Sequence, residues 1–448
     1  MPFSLPQRLC FRGSALKSPD LSWVDDFWSK AGPYIFWREE DGILILPPNR
    51  VYKLNKTAIA LLELLKREYK AVDIDLPGKD ALRDTEYFFS DLAALYRGEN
   101  PINGTVGKEL FSFSFSKLPI LGEIAITYRC NNACKFCYAA CGDALSETCM
   151  NHPEKKTADY KKIIDVFADD AKIPFFSFTG GEPTLRRDLE ELIHYARSRN
   201  LLVNLVTNGT LIDDGRARAL KKAGLGSAQV SVEAPEQHLH DELTGRSGAF
   251  DQTLAGIKAL RNAGVPTQTN TTINRLNLPV IHQMPDFLKA LGITRFAMNL
   301  YIPVFPGEMA DRLFVPYKEI SSYVELIRQK AQSLDMTFFW YSPTPFCDYN
   351  PIARGLGNKS CAALDGLISV APDGAILPCS SWDEPVGNLL ASSFQAVWFS
   401  EKAKTFKEKQ HAPQTCRECS SFSACQGACP LYWRYTKSAP PGYQARIP

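Results

Sequence analysis

GEIAITYRCNNACKFC, residues 122–137, runs a strand-like apolar stretch straight into three cysteines. Cys130, Cys134 and Cys137 lie within eight residues, just past the strand end at Tyr128-Arg129. Three thiolates at that spacing can converge on one metal centre. A closed structural zinc site takes four ligands, and a cubane [4Fe–4S] cluster also normally takes four cysteines. Three would leave one iron open to a substrate or cofactor. Cys141 and Cys149 are alternative fourth ligands, which would make the site a plain ferredoxin-like or zinc centre.

Downstream of this stretch, strands and helices alternate at intervals of about 35 residues, as βαβ units of a parallel sheet do. The strand-like runs are GEIAITY, PFFSFTG, LLVNLVTNG, AQVSVEA, TQTNTTIN and RFAMNLY, between 122 and 301. Helix-like runs such as ADYKKIIDVFADD and RDLEELIHYARSR separate them, and several end near Gly224, Gly264 and Gly292, as left-handed C-caps. Six units are too few for a closed eight-fold barrel and enough for an open one. The predicted fold class is therefore α/β, a partial (β/α)6 TIM-like barrel over 120–310, with its site at the C-terminal strand ends. A connecting helical segment is expected over 311–345.

Upstream, residues 1–31 show no clear period and read as an arm. YIFWREE, GILILPP and RVYKL are short β-type runs, and LNKTAIALLELLKREY and EYFFSDLAALYRG are amphipathic helices. Together they predict a small winged-helix-like α+β domain over 32–98. GENPINGTVGK opens a linker, 99–119. From 346 to 448 the regularity fades and the cysteines return, predicting an irregular cysteine-rich domain.

The chain has 448 residues, 51 Lys+Arg against 49 Asp+Glu, and a formal charge of +2. That balance gives no reason to expect nucleic acid or an anionic membrane as partner. No stretch approaches the roughly 20 apolar residues of a membrane span, and the N-terminus has no secretory apolar segment. Thirteen cysteines, an odd number, cluster rather than pair. In a long chain this points to metal in a reducing cytoplasm, not to a disulfide scaffold.

CxxxCxxC after the first strand, with Phe136 before its last cysteine, resembles the radical S-adenosylmethionine (SAM) superfamily. The second strand ends in Thr179-Gly180-Gly181-Glu182-Pro183, 43 residues past Cys137, where that family carries its GGE turn. The resemblance implies that Cys130, Cys134 and Cys137 hold a [4Fe–4S] cluster. It also implies that Gly180, Gly181 and Glu182 meet the methionyl amino group of SAM. Asn208, at the end of the third strand, and Ser231 and Glu233, on the fourth, would make further SAM contacts, with Asn270 and Thr272 additional candidates. The implied chemistry is reductive cleavage of SAM to a 5′-deoxyadenosyl radical, which abstracts hydrogen from an unactivated C–H bond.

Cys361, a twelve-residue gap, then Gly374 and Cys379, followed by Cys416, Cys419, Cys425 and Cys429, resembles the SPASM domain of radical SAM maturases. The resemblance implies one or two auxiliary clusters: Cys361, Cys379 and Cys429 for the first, and Cys416, Cys419 and Cys425 for the second. The family's seventh cysteine is missing, since residues 430–448 contain no Cys, His, Asp or Glu. The second cluster thus lacks an obvious fourth ligand. Cys347, fourteen residues before Cys361, is a candidate extra ligand of the first. Cys10, Cys141 and Cys149 read as free thiols.

The N-terminal unit resembles the PqqD-like RiPP recognition element, which binds a precursor peptide's leader by adding it to a sheet edge. A generic winged helix is the alternative, but no basic recognition helix accompanies it. The expected function is a cytoplasmic radical SAM/SPASM enzyme modifying a ribosomally made peptide, supplied with electrons by a flavodoxin or ferredoxin. A maturase of a folded protein or of a small-molecule cofactor precursor is the first alternative. A SAM-inactive iron–sulfur electron carrier is the second. No residue stands out as the catalytic acid, base or radical quencher.

Overall fold

The computed structural model describes residues 20–47, 50–107, 115–142, 146–305 and 307–438. The chain divides into two compact units, Met1–Glu109 and Leu110–Pro448.

In the first unit, β1 (Phe36–Arg38), β2 (Ile43–Leu46) and β3 (Arg50–Lys53) form an antiparallel sheet in that order. The helix Lys56–Lys66 follows, started by Asn55, whose side chain accepts from the Ala58 amide at 2.8 Å. Its Ile59, Leu62 and Leu65 share a core with Leu44, Leu46, Phe89 and Leu92, the last two from the helix Gly78–Arg97. Two boundaries differ from the sequence expectation. The described part of the arm contains the helix Val24–Ala31, whose Val24 and Ala31 enter the same core. The presumed linker begins inside the domain. Buried Asp91 gathers the amides of Ile102, Asn103 and Thr105 at 2.9–3.0 Å, and Gly107 pairs with Lys53. A short polar segment wrapped on a buried carboxylate carries no periodicity, so composition alone reads it as linker.

The second unit holds a ten-stranded sheet among the described residues. Its parallel strands are β4 (Leu121–Thr127), β5 (Phe175–Gly180), β6 (Leu202–Thr207), β7 (Ser227–Ser231), β8 (Thr267–Ile273), β9 (Arg295–Leu300) and β10 (Thr337–Trp340), in spatial order. The six expected strands are all present. The seventh, β10, pairs parallel with β9 inside the segment expected to be purely helical, after the helix Tyr317–Ser333. Four residues are too short to show a period, and β10 forms because β9 offers an edge. β11 (Leu367–Val370), β12 (Ala375–Leu377) and β13 (Gly387–Asn388) continue the sheet from the other side, with β11 parallel to β4. The cysteine-rich region is therefore an extension of the barrel sheet.

One face of the sheet is apolar and packs on the helices through residues such as Ile124, Phe176, Phe178, Val203, Leu205 and Val230. Fully burying such a side chain contributes about 1.5–3 kcal/mol. The opposite face is polar. Asn204 bonds to Ser177 at 3.1 Å, Ser227 to Asn204 at 2.8 Å, Gln268 to Gln229 at 2.9 Å and Asn270 to Asn299 at 2.7 Å. No helix among the described residues is long and apolar enough to cross a membrane.

Candidate SAM and iron–sulfur sites

Past β4 the backbone is tied down before it reaches the cysteines. The Cys130 amide donates to the Gly142 carbonyl at 2.7 Å, and the Ala133 and Lys135 amides donate to Thr244 and Leu243, both at 2.9 Å. Lys135 pairs with Glu242 at 2.6 Å. Cys130, Cys134 and Cys137 lie within one another's fields. Burial pushes the Cys130 thiol up to about 11 and Cys134 well above the usual thiol range. Such thiols ionise when a cation compensates the charge. The Asn132 amide donates to Cys130 Sγ at 3.5 Å and the Cys141 amide to Cys137 Sγ at 3.3 Å. Donors of this kind accompany cluster thiolates.

Cys141 also gives its thiol to Cys137, lowering the latter's pKa. Cys141 and Cys149 pack against the apolar group of Ala125, Tyr128 and Ala139. Cys10 lies outside the described residues. Phe136 packs against Ala234, Leu239 and Leu243, which anchors the loop.

The glycines of the GGE turn answer first to the chain itself. A Cβ on Gly180 would drive into the Thr127 carbonyl oxygen, and one on Gly181 into the Arg129 carbonyl oxygen. Gly180 also holds φ +126°. The Gly181 and Glu182 amides then donate to Thr127 and Arg129 at 2.8 and 2.9 Å, locking the tip of β5 to that of β4. Glu182 is fully buried. Its Oε1 accepts from the Thr184 amide and from the Thr184 and Thr207 hydroxyls, and its Oε2 from the Asn208 amide at 2.7 Å. Burial raises its pKa, against those bonds. The carboxylate expected to meet the SAM ammonium thus also ties the turn after β5 to the end of β6.

Asn208 donates to Asn131, between the first two cysteines, at 2.8 Å. Ser231 ends β7 opposite Asn270 on β8, and the Asn270 side-chain oxygen, Oδ1, is buried with no partner among the described residues. Glu233 accepts from the Thr272 amide at 2.9 Å. Burial pushes its carboxyl up to about 8, and its field reaches Cys134. The sequence reading missed the network beside this site. Thr127 and Arg129 both donate to Glu154, and Arg186 bridges Glu154 and Asp188. It also missed the polar sheet face, whose signal is the alternation in LVN, AQVS and TQTNT.

The C-terminal cysteines form two groups. Cys361 and Cys429 lie near half-buried Cys379. Beside Cys361, both polar atoms of the buried Gln426 side chain have no partner among the described residues. Cys416 lies in the field of Cys425, Cys347 and Cys419. The structure thus places Cys347 with the second set, where the sequence reading had offered it to the first. Counting residues toward Cys361 ignored the turn the chain makes after β10. Among the described residues, no three Cys, His or carboxylate side chains converge as closely as a single ion requires. Zinc would hold its sulfurs about 3.8 Å apart, from Zn–S bonds of about 2.3 Å. A cubane puts each thiolate on a different iron, and the all-thiol donor sets suit it.

Residues 124–291 match the radical SAM superfamily, and residues 361–420 match the SPASM iron–sulfur cluster-binding domain. An AdoMet-dependent heme synthase of Oleidesulfovibrio alaskensis is 30% identical over 326 residues, covering 67% of this chain and 80% of the relative. This chain belongs to the radical SAM superfamily. As a radical SAM enzyme it takes SAM and a [4Fe–4S] cluster in the barrel and auxiliary iron–sulfur clusters in the SPASM region. A PqqA peptide cyclase of Granulibacter bethesdensis is 26% identical over 322 residues, covering 69% of this chain and 82% of that one. Streptococcus suis SuiB, solved with its precursor peptide SuiA, shares the fold at TM-score 0.65 and 18% identity, covering 90% of this chain and 95% of that one.

Proposed function

We propose that this radical SAM enzyme abstracts hydrogen from a ribosomally made peptide and so modifies it, with the leader held by the N-terminal unit. The observation that carries this reading is that unit itself, a three-stranded antiparallel sheet followed by two helices, with its own core. β1 lies at an edge of this sheet, and an edge strand carries the backbone donors and acceptors that an added peptide strand needs. SuiB, solved with a precursor peptide, shares this chain's fold over 90% of its length.

Cys130, Cys134 and Cys137 would hold the catalytic cluster, with Gly180, Gly181, Asn208 and Ser231 lining the SAM site. When bound, the cluster and SAM supply the electron and the hydrogen-abstracting radical. The chain's own residues do the placing. The Asn132 and Cys141 amides support the thiolates, and Glu182 and Phe136 hold the strand tips and the loop. The polar face of β5–β9 offers hydrogen bonds to the substrate. A flavodoxin or ferredoxin would deliver the electron, in the cytoplasm.

A second reading, action on a small-molecule cofactor precursor, is favoured by the heme synthase relative at 30% identity. That alignment leaves a third of this chain unmatched. Anaerobic incubation with SAM, reductant and either a peptide encoded beside the gene or an iron porphyrin carboxylate separates the two. A mass change in the peptide, with stoichiometric 5′-deoxyadenosine, is the expected result. Turnover of the porphyrin alone would transfer the assignment to the second reading.

A further inference from the structure

We propose that Cys347 is the fourth thiolate of the second auxiliary cluster, standing in for the cysteine missing after Cys429. This rests on the reading of the C-terminal cysteines as cluster ligands.

The loop after β10 is a rigid support. Trp340 Nε1 donates to Thr344 Oγ1 at 2.8 Å, and Ser342 Oγ accepts from the Leu300 amide at 2.6 Å. Ser321, on the helix Tyr317–Ser333, donates to the Asp348 carbonyl at 2.9 Å. These bonds flank Cys347 on both sides in sequence. The loop then meets the C-terminal cysteines directly, since the Phe346 amide donates to Cys425 Sγ at 3.4 Å. The same helix is joined to the C-terminal segment by Tyr317, whose ring stacks on Tyr432 at 3.8 Å between centroids. Cys347 and Cys416 lie in each other's neighbourhood with Cys425 and Cys419. Three thiols thus come from the C-terminal segment and one from the barrel side.

The consequence inverts the expectation from sequence. With Cys347 the second set is complete, and its cluster has no open iron. The first set, Cys361, Cys379 and Cys429, keeps three thiols, with the unpartnered polar atoms of the Gln426 side chain beside Cys361. The auxiliary cluster that can take an exogenous ligand is then the first.

The test uses the full chain carrying Cys130→Ala, Cys134→Ala and Cys137→Ala, reconstituted anaerobically. Two auxiliary cubanes give about eight irons, and added cyanide should perturb the Mössbauer spectrum of one of them. Adding Cys347→Ala should either cut the iron to about four or leave about eight with both clusters now cyanide-responsive. Cys347→Ser, which keeps an oxygen ligand, should retain about eight irons with an altered spectrum, and this excludes simple misfolding. To assign the cluster, Cys361→Ala and Cys379→Ala are added to the parent, which should leave about four irons that do not answer cyanide until Cys347 is also changed. Unchanged iron and unchanged cyanide response on Cys347→Ala would overturn the proposal. So would a Cys347 effect that vanishes once Cys361 and Cys379 are gone. A parent protein without iron would instead overturn the underlying ligand reading.

Discussion

At the residue scale, the site depends on close contacts more than on charged groups. Gly181 has an ordinary backbone conformation, yet a Cβ there would strike the Arg129 carbonyl beside Cys130. Gly181→Ala is expected to destabilise the unit by about 1–3 kcal/mol, the usual range for overpacking, and to lower SAM cleavage. Urea denaturation and 5′-deoxyadenosine release measure the two effects. The cysteines behave as separate sets along the chain. Cys130→Ala, Cys134→Ala and Cys137→Ala together should abolish 5′-deoxyadenosine formation and leave the auxiliary iron in place. Cys141→Ala and Cys149→Ala should each leave the catalytic cluster bound, since both thiols pack against an apolar group. Cluster loss in either variant would make the site a four-thiolate one and remove the open iron.

At the scale of elements, the two ends of the chain differ in how far they can be removed. The N-terminal unit has its own core and closes on itself at Lys53 and Gly107. Deleting residues 1–109 should leave SAM cleavage largely intact and weaken binding of the precursor peptide at least tenfold, measured by fluorescence anisotropy. Equal peptide affinity in the two proteins would end the leader-binding role. The C-terminal region is different, because β11 pairs along β4 from Leu121 to Ile124. A chain ending at residue 345 exposes that edge, and an open edge is a template for aggregation. Loss of the monodisperse peak in size-exclusion chromatography is the expected result. A well-folded truncated barrel would show that β11 is dispensable.

At the scale of the whole second unit, one histidine joins distant parts of the chain. His152 lies 3.2 Å from Asp373 and 2.7 Å from Asp383, on either side of the β12 strand. The Asp373 hydrogen bond raises its pKa, against burial and with help from Asp383. A raised value means that the charged pair stabilises fully below the unfolded pKa of about 6.5. That contribution is lost as pH rises through the folded value. Stability should therefore fall as pH rises from about 6.5 upward, and His152→Gln should flatten this part of the profile. Urea midpoints across that range, for both proteins, provide the check.

Much of this protein is written locally. The six barrel strands, the cysteine spacings and the GGE turn are short-range patterns, and period and spacing survive in a linear string. Cys130, Cys134 and Cys137 could be placed together because eight residues past a strand end leave little freedom. What the string could not determine was set by contacts between remote segments. Glu182 is legible as a site carboxylate by position, but Thr207 and Asn208 reach it only when β6 lies alongside β5. β10 is four residues long and exists because β9 has an edge to fill. Cys347 shows the same limit. Distance along the chain pointed to Cys361, whereas the turn after β10, pinned by Thr344 and Asp348, carries it to Cys425. Sequence separation measures how much chain is available, and folding decides which remote side chains that chain brings into contact.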